Sequence, residues 1–525
     1  MSKKNNKSKT VKERYRVKNA LINYYLVLMF TVFPLFFANK YYSIRHDKLF
    51  VFLIFSGILI VVESIILLCN LFSKTNEDKL HKPKWYTQLS ITDCAFGVLI
   101  LSSGISTLFS AYPLDSLTGN QGRNNGLILM IFYFLVYIII SRTYKFKEYV
   151  FITFAVASAV VSVLCILNFF GIDPLGMYKG YSAQVINDFT STIGNKNIMS
   201  SFCCITIPVL LMLFMNSENK IAKYIYLTSS SIGFAGIICA DSDSGFLGLI
   251  PLLVIIFLYY IRDIHKLKDY FIGISLMLIF SKVLAVLCLY LPEKSLGAIQ
   301  ILLLHSKLSY ILLSCAVILA VALWIADRKF ENYLLPKAVQ YIAIGIFAVG
   351  IIALMGLIIY YTFIDAKTPL NSFMKYFRFD EKWGTHRGFM WIKSMDIVKN
   401  SSAKDILFGC GPDTFKSAFA PYFDELNEKY GNTATNCAHN ELLNYLITIG
   451  IVGLLSYLTM VISVIVRAVK YGKQNPLTIV FASAVLCYLM QSVVNIAQPI
   501  TTPLFFIFIA LTESAVRQVK ANTQT

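Results

Sequence analysis

Long apolar stretches, separated by short polar connections, run along almost the whole chain. An uninterrupted apolar run of about 17 to 25 residues is long enough to cross the hydrocarbon core of a bilayer as an α-helix. The pattern predicts an all-α, polytopic membrane protein of about 14 transmembrane helices with one long outer loop that contains amphipathic helices. The fourteen runs are 20–38, 49–73, 89–110, 126–141, 149–171, 198–215, 223–240, 244–261, 269–291, 308–326, 338–363, 441–467, 477–494 and 502–516.

Composition and charge agree with this class and add an orientation. The 525 residues are 57% hydrophobic and 14% charged, with a mean hydropathy of +0.64, which excludes an ordinary soluble domain. Lys and Arg concentrate in alternate connections, and eight of them lie in residues 1–19. Because Lys and Arg flank the cytoplasmic ends of membrane helices, we expect a cytoplasmic N-terminus, and an even helix count returns the C-terminus to the same side. The net charge of +18 is then explained by topology, without a nucleic-acid partner. No cleavable signal peptide pattern is expected, since the first apolar run is long and lacks an A-x-A site.

These features divide the chain into five predicted regions. Residues 1–19 form a basic cytoplasmic N-terminal segment, and 20–363 hold transmembrane helices 1–11. The long extracytoplasmic loop is 364–440, followed by helices 12–14 in 441–516 and a cytoplasmic tail in 517–525. Three shorter outer loops, at 110–126, 171–197 and 240–245, concentrate Gly, Asn, Ser and isolated charges at helix mouths. Function is therefore expected on the outer face.

The long loop is predicted to be partly helical. Phe415, Phe419, Phe423, Leu426 and Tyr430 recur at a spacing of three to four, as on the apolar face of a helix that lies on the bilayer or on the bundle, although Pro421 interrupts it. Trp391, Ile392, Met395 and Val398 form a similar face in 387–401. Asp413, after a Gly-Pro turn, is placed to cap the next helix. Two interpretations stay open: a loop that covers the bundle, and a lid over a substrate vestibule.

His439 is the candidate general base, because an imidazole titrates near neutrality. A helix that begins near Asn436 would place Asn440, Glu441, Asn444 and Thr448 on one polar sector and turn His439 away from Glu441. A partner for His439 must then come from another helix or from substrate. The predicted topology puts Arg123 and Arg387 at the same membrane level. Two guanidinium groups beside an imidazole and a rim of Asn indicate a site for an anionic lipid substrate.

Other polar groups allow several interpretations. Glu63, Asp93 and Lys282 lie within apolar runs, where ionisable side chains are costly and often functional, and Glu63 could pair with Lys282. Nine of the eleven cysteines fall in apolar runs, while Cys410 and Cys437 lie in the outer loop and leave a disulfide open. No Cys or His spacing indicates zinc or haem.

Four segments in order resemble the O-antigen ligase and O-antigen polymerase superfamily. They are "STLFSAYPLDSLTGNQGRNNGL", "STIGNKNIMSSF", "HRGFMWIKSMDIVKNSSAKDILFGCGPDTF" and "CAHNELLNYLITIGIVGLLSYL". The resemblance covers roughly residues 89–500, and its strongest elements are the G-N-x-N segment and the long loop that ends in A-H-N-E before a helix. It implies a metal-independent, membrane-embedded C-type glycosyltransferase whose donor is a glycan on undecaprenyl diphosphate.

By the same resemblance, His439 is the catalytic base for the acceptor hydroxyl, and Arg387 and Arg123 hold the diphosphate. The remaining substrate-binding residues implied by the matched segments and the adjoining helix mouth are Asn195, Lys196, Asn197, Asn440 and Glu441. One departure concerns "SDSG", where Ser244 stands in place of the Arg that many relatives carry, beside Asp241 and Asp243. An Asp-x-Asp pair is a weak metal signal, and capping of the following helix accounts for it, so no metal or cofactor is expected.

The sequence therefore predicts a glycosyltransferase that moves a glycan from an undecaprenyl-diphosphate-linked donor to an acceptor hydroxyl on the outer face of the cytoplasmic membrane, as an O-antigen ligase does. The expected partners are this donor, a glycan or lipid acceptor and membrane lipids, with no nucleic acid. A surface polysaccharide polymerase that joins lipid-linked repeat units remains open, because acceptor choice depends on cavity shape. A lipid-linked sugar transporter or flippase is a further alternative, although the internal repeats and broken midplane helices common in transporters are not visible.

Overall fold

A computed structural model describes residues 2–72, 88–292, 294, 296–330, 333–371, 374–431 and 435–524. Within these residues, eleven helices are long and apolar enough to cross a membrane. Two shorter apolar helices, Leu127–Thr143 and Leu477–Ser492, lie beside them. Every one of the fourteen predicted runs lies on a helix, so the all-α, multi-pass class is confirmed, while the exact number of spans stays a prediction. In hydrocarbon, helices are favoured because they satisfy each backbone group internally.

The described residues of the first half form twelve helices and one small hairpin. The hairpin pairs β1 (Phe189–Thr190) with β2 (Gly194–Asn195) in antiparallel register. The helices are α1 (Ser2–Phe30), α2 (Val32–Leu35), α3 (Ile44–Phe72), α4 (Ile91–Leu108), α5 (Pro113–Thr118), α6 (Leu127–Thr143), α7 (Glu148–Phe169), α8 (Ala183–Asp188), α9 (Lys196–Asn216), α10 (Lys220–Cys239), α11 (Asp243–Tyr260) and α12 (Ile264–Leu287).

The second half contains ten helices and several single turns. A π-helical turn spans Tyr360–Ile364, and 3₁₀ turns span Met374–Phe377 and Ala420–Tyr422. The helices are α13 (Ala298–His305), α14 (Lys307–Lys329), α15 (Lys337–Ile359), α16 (Trp383–Asn400), α17 (Ala403–Phe408), α18 (Phe415–Phe419), α19 (Phe423–Tyr430), α20 (Glu441–Tyr471), α21 (Leu477–Ser492) and α22 (Thr502–Gln524).

The core of the bundle lies around α9. The apolar window of α9 is entirely buried, whereas that of α15 has no buried residue. Helices α10, α11 and α21 pack against α9, and α21 in turn packs against α22. Because an apolar face turned to lipid needs no protein partner, α14 and α15 form the periphery of the bundle. The central helices therefore position the chain segments that connect them.

Five charged side chains join four helices at the end of α20 that is remote from residue 441. Glu513 of α22 pairs with Arg467 at 2.6 Å and with Arg517 at 3.0 Å. Asp93 accepts from Arg517 and lies 3.5 Å from Arg142, and it also forms a capping box with Ser90. Buried charges are tolerated when they are paired in this way. Asp93 is thus part of an ionic network within the membrane domain.

The predicted pairing of Glu63 with Lys282 is wrong. Glu63 pairs with Lys18 at 2.6 Å, because α1 and α3 are neighbours. The Lys282 ammonium donates to the carbonyls of Leu303 and Leu304, at 2.9 Å each, and to the Ser309 hydroxyl. The ammonium thereby provides donors for backbone carbonyls at the break between α13 and α14. Both groups therefore have structural partners from neighbouring helices.

The segment 364–440 packs against itself and against α20. Phe415, Phe419 and Leu426 are buried with Phe389 and Ile447, so the predicted apolar face is confirmed and lies on protein. Pro421 interrupts the pattern with a 3₁₀ turn, as expected. The face of α16 is different from the prediction: Phe389 and Ser394 are buried, while Ile392 and Met395 stay partly exposed. One face of α16 is thus buried in the protein, and the other is partly exposed.

Two glycines fasten this segment to α20. Gly450 breaks the helix with φ 69° and ψ −175°, a conformation open essentially to glycine alone. A Cβ on Gly450 would lie 2.3 Å from the carbonyl oxygen of Leu407, and one on Gly409 would lie 2.3 Å from the carbonyl carbon of Thr448. The N–H of Cys410 donates to Ile447 at 3.0 Å, and that of Gly411 donates to Thr448 at 2.9 Å. Carbonyls freed by the helix break are thereby satisfied by the loop.

Candidate functional site

His439 lies at the junction between the long segment and α20. The helix begins at Glu441 with Asn440 as its N-cap, whose Oδ1 accepts from the N–H of Leu443 at 3.0 Å. The helix thus begins where the predicted apolar run begins, at residue 441, and not near Asn436, and His439 has a left-handed backbone with φ 49°. It faces a polar cavity of about 380 Å³. Its Nδ1 is buried and finds no hydrogen-bond partner within the described ranges.

Neighbouring hydrogen bonds hold the turn that carries His439. The N–H of Ala438 donates to Asn444 Oδ1 at 3.3 Å, and the carbonyl of Ala438 accepts from Trp391 Nε1 at 3.1 Å. Asn444 belongs to α20 and Trp391 to α16. The turn is thus fixed between two helices. This support orients the imidazole before any substrate binds.

Arg123 reaches the same cavity from the connection between α5 and α6. The carboxylate of Asp413 accepts from the backbone N–H of Arg123 at 2.6 Å and from that of Asn125 at 3.1 Å. The guanidinium Nε of Arg123 donates to Asn436 Oδ1 at 3.0 Å. Arg123 and His439 both line the 380 Å³ cavity. Its remaining guanidinium donors make no hydrogen bond to the described part of the chain.

Arg387 is presented by an unusual turn at the start of α16. Gly384, Thr385 and His386 have φ between 59° and 68°, and a Cβ on Gly388 would lie 1.8 Å from the carbonyl oxygen of Asp380. The chain therefore folds back sharply just before Arg387. The Arg387 guanidinium forms no hydrogen bond or ion pair with the described residues. Its five donors are available to an anion.

Arg387 is not among the residues that line the 380 Å³ cavity, but its charge and that of Arg123 both act on His439. The pKa of His439 lies well below its ordinary value, because burial disfavours the charged ring and because Arg123 and Arg387 repel it. The imidazole is consequently neutral near pH 7 and able to accept a proton. Burial raises the pKa of Asp413 to about 7, against the opposing effects of two backbone N–H groups and of Arg45 and Arg123. The site combines one neutral base with an excess of positive charge.

An apolar groove of about 400 Å³ lies on the other side of α16 from the polar cavity. Asn440 is its polar member and sits next to His439 along the chain. The apolar lining comes from α16, α20 and the turn before them, namely Phe379, Trp391, Ile392, Met395, Leu442, Leu443, Leu446 and Leu454. The groove and the cavity thus share the turn at 439–440 as a wall.

Residues 294–458 match the sequence model of the Wzy_C family, described as O-antigen ligase. This match covers less than half of the chain and supports its resemblance to the O-antigen ligase and polymerase superfamily. The matched region holds Arg387 and His439, whereas Arg123 lies outside it. A search of curated proteins finds no match to this chain. The activity of this protein therefore has to be argued from its site.

The GNKN segment lies outside the polar cavity. Asn195 caps α9 by accepting from the N–H of Asn197 at 2.9 Å, and Asn197 accepts from Ser242 at 2.7 Å. Lys196 lies 3.8 Å from Asp188 and 3.7 Å from Asp241. These residues hold α9, the hairpin and α11 together. Their predicted contact with substrate is not reflected in the cavity lining.

Asn440 and Glu441 have distinct surroundings. Asn440 caps α20 and borders the apolar groove. Glu441 is 2% exposed and lines a small cavity of about 40 Å³ that also touches Arg123, Asn125 and Tyr445. Glu441 is therefore connected to the site through Arg123, on the side of the bundle interior.

Asp241 and Asp243 bind protein groups. Asp241 accepts from the N–H of Gly297 at 3.0 Å, and Asp243 accepts from the Tyr376 hydroxyl. The N-cap of α11 is Ser242, and neither aspartate makes a side-chain capping hydrogen bond, but Asp243 lies in the first turn, at the positive end of the helix. No group of three or more metal-binding side chains is found among the described residues. Ser244, in place of the relatives' Arg, binds Ser200 and Ser242.

The sequence did not single out two residues of this site. Asp413 was expected to cap a helix, but α18 has Thr414 as its N-cap and Asp413 binds the Arg123 loop. Arg45, at the start of α3, acts on Asp413 through its charge, and no hydrogen bond from its guanidinium to the described residues is found. In the sequence, Arg45 is a basic residue at the end of an apolar run, and such residues are already accounted for by membrane topology. Cys410 and Cys437, whose pairing was left open, are both free thiols.

Proposed function

We propose that this protein is a membrane glycosyltransferase that moves a glycan from undecaprenyl diphosphate to an acceptor hydroxyl on the outer face of the cytoplasmic membrane, with both termini in the cytoplasm. One observation carries the proposal: His439 and Arg123 line one polar cavity, and the charges of Arg123 and Arg387, whose guanidinium groups keep most of their donors free of the described residues, both act on the imidazole. An acid–base group beside an unfilled cationic site matches a reaction in which a diphosphate leaves. Ligation to a separate acceptor is the favoured outcome.

The reaction needs one proton transfer and one displacement. The acceptor hydroxyl oxygen forms a bond to the anomeric carbon, and its proton moves to the neutral imidazole of His439. The bond between the anomeric carbon and the diphosphate oxygen breaks, and the electron pair leaves with undecaprenyl diphosphate. Arg123 and Arg387 stabilise the charge that develops on this leaving group. The incoming diphosphate also offsets their repulsion of His439, so proton uptake becomes easier once the donor is bound.

The apolar groove supports a lipid-linked donor. A polyprenyl chain is apolar and a diphosphate is strongly anionic, so a donor needs the two kinds of surface side by side. Here the 400 Å³ groove and the 380 Å³ polar cavity meet at the turn formed by His439 and Asn440. A soluble sugar nucleotide would leave the groove without a function.

A flippase is less well supported by the opposite end of the bundle. A carrier of an anionic head group needs binding groups that become accessible from each side. At the remote end of α20, however, Arg467 and Arg517 are both engaged by Glu513. By contrast, Arg123 and Arg387 keep donors that no described residue engages, and both act on His439. This one-sided arrangement favours catalysis.

The proposal is tested with full-length protein in lipid nanodiscs. Undecaprenyl diphosphate glycan and candidate acceptors are incubated with wild-type protein and with His439→Ala, each with and without a chelator, and products are identified by mass spectrometry. We expect a new glycosidic bond and free undecaprenyl diphosphate with wild type, insensitivity to the chelator, and a loss of about 100-fold or more in His439→Ala. Wild-type turnover by His439→Ala would remove the proposed base. Transbilayer movement of donor without a new bond would favour the flippase.

A further inference from the structure

The polar cavity has a composition that the transfer reaction does not require. Its charged and imidazole lining groups are Arg123, Lys416, His386 and His439, and none of its lining residues is Asp or Glu. Carboxylates are common partners of sugar hydroxyls because they accept strong hydrogen bonds. A cavity lined by basic groups and amides is instead suited to a ligand that carries negative charge. Arg123 and His439 are assigned to the reacting end, which leaves His386 and Lys416.

His386 is held in a strained turn. It is the last of three consecutive residues with positive φ, at 68°, and β-branched Thr385 before it has φ 60°. Such residues cost about 1–3 kcal/mol each and persist where the surroundings enforce them, often at ligand sites. The His386 ring stacks on Tyr430 with centroids 4.0 Å apart. Its Nδ1 is buried and has no partner in the described part of the protein.

Lys416 lies opposite the apolar face of α18. Phe415 and Phe419 on that helix are buried, which turns Lys416 to the exposed side along the cavity. The next residue, Ser417, donates to Gln121 Oε1, and Gln121 also lines the cavity. The helix that presents Lys416 is therefore anchored to the α5–α6 connection.

Lys416 differs from the lysines on the neighbouring helices. Lys393 pairs with Glu425 at 2.7 Å, and Lys429 pairs with the same carboxylate at 2.9 Å. Lys399 and Lys404 each lie within 4 Å of an aspartate. Among described residues, no carboxylate pairs with Lys416. An ammonium without a described carboxylate partner and an imidazole whose Nδ1 has no described hydrogen-bond partner line the same cavity, and together they can receive an anion.

We propose that His386 and Lys416 form a second anion-binding subsite, which receives a negatively charged substituent of the glycan, a uronic acid carboxylate or a sugar phosphate. This inference rests on the proposed function, since it assumes that the cavity holds the glycan. The subsite is separate from the diphosphate clamp: Arg387 and Arg123 act on the bond that breaks, while His386 and Lys416 select what is transferred. The substrate class is thus an acidic surface glycan.

The test compares matched donors that differ only in one substituent. Undecaprenyl diphosphate oligosaccharides with a neutral hexose, the corresponding uronic acid or the hexose phosphate are supplied to wild type, Lys416→Gln, His386→Asn and the double variant. Asn is chosen because it tolerates a left-handed backbone better than other side chains. Lys399→Gln, whose side chain is 71% exposed on α16, is the matched control.

We expect kcat/KM for the acidic donors to fall about 10-fold to 100-fold in the double variant, as for loss of hydrogen bonds to a charged group. Turnover of the neutral donor and all rates of Lys399→Gln should stay at wild-type values. Whichever acidic donor, uronic acid or phosphate, shows the larger fall in kcat/KM identifies the substituent that the subsite binds. Equal losses on acidic and neutral donors, or no loss, would overturn the subsite.

A binding measurement separates this inference from the transferase itself. Saturation-transfer NMR with free glucuronate, glucose 6-phosphate and glucose needs no donor lipid and no turnover. Wild-type protein should bind at least one of the two acids in preference to glucose, and the double variant should lose that preference. If wild type transfers no glycan but shows this preference, the transferase proposal fails and the subsite stands. If it shows no preference, the subsite fails.

Discussion

The Asp413 carboxylate accepts a 2.6 Å hydrogen bond from the backbone N–H of Arg123, across 290 residues of sequence. This bond joins the α5–α6 connection to the Gly-Pro turn of the long segment. The charge of Arg45 acts on the same carboxylate. Asp413 therefore sets the position of Arg123 without facing the reacting atoms, and the two halves of the chain share one site through it.

Asp413 makes stability depend on pH. Its pKa is raised to about 7, above the value of about 3.9 in an unfolded chain, so the folded state binds the proton more tightly. The stability that it contributes is fully present below pH about 4 and is lost as pH rises through about 7. We expect Asp413→Asn to remove this decline, because the amide stays neutral. Melting temperatures in detergent between pH 5.5 and 8.5 measure it, with exposed Asp424→Asn as control. An equal decline in Asp413→Asn would contradict the assignment.

Arg387→Lys tests the geometry of the diphosphate clamp. Lys keeps the charge but replaces a planar fork with a single ammonium, so one charge-assisted hydrogen bond is lost. We expect kcat/KM for donor to fall about 10-fold or more, with the α-helical content unchanged. Arg387→Ala gives the kcat/KM for donor when both the charge and the planar guanidinium group are removed. If Lys supports the wild-type rate, the bidentate contact is absent.

Arg45→Ala should weaken donor binding. The Arg45 guanidinium contributes positive potential next to Arg123 and Asp413 and is engaged by no described hydrogen bond, so its donors are free for a phosphate oxygen. We expect the KM for donor to rise about 10-fold while kcat changes little. His46→Ala, the exposed next residue of α3, is the control. An unchanged KM would place Arg45 outside the site.

The acid limb of the pH profile reports on His439. Because its pKa is lowered by burial and by two arginines, kcat/KM should fall only below pH about 6.5, the ordinary value for histidine. Removing one positive charge by Arg123→Gln relieves the repulsion, so the limb should move upward in pH although the rate is lower. Rates are measured from pH 4.5 to 8. A limb that stays in place, or moves downward, would show that another group titrates.

Glu513→Ala tests the ionic network at the remote end. The change removes the carboxylate that Arg467 and Arg517 share; Arg517 keeps Asp93, whereas Arg467, 13% exposed, keeps no carboxylate partner among the described residues. We expect a loss of about 3–5 kcal/mol in the free energy of unfolding, since an uncompensated buried charge remains. Equilibrium denaturation in detergent measures it, and Glu218→Ala at an exposed position is the control. Wild-type stability would mean that water or lipid head groups reach the two arginines.

The helices, and the presence of His439 and Arg123 in one site, could be predicted from the sequence. Apolar run length determines a membrane helix directly, and charge asymmetry with a family resemblance put these residues on one side of the membrane. The role of Asp413 was not predictable, because the "GPD" spacing fits a local cap as well as a contact 290 residues away. The apolar run gave the start of α20 at residue 441, whereas the partner of Glu63, Lys18, could not be chosen from the sequence.

The same limit explains the GNKN segment. Its position between a polar loop and an apolar run was consistent with a cavity lining, yet Asn195 caps α9 and Lys196 lies between Asp188 and Asp241. Asp188 comes from the same connection as Lys196, but Asp241 comes from the separate connection between α10 and α11, and the sequence does not encode that packing locally. The distances between helices decide which polar residues meet, and only the structure provides them.

The close backbone packing of Gly409 against the helix break at Gly450 constrains how reactants reach the site. Residues 409–411 cannot swing away as a hinged flap without losing the amide bonds to Ile447 and Thr448. A membrane-bound reactant would then approach sideways, by lateral diffusion within the leaflet towards the groove on α16. On this basis turnover should slow as leaflet viscosity increases, even when the concentration of reactants per lipid is constant.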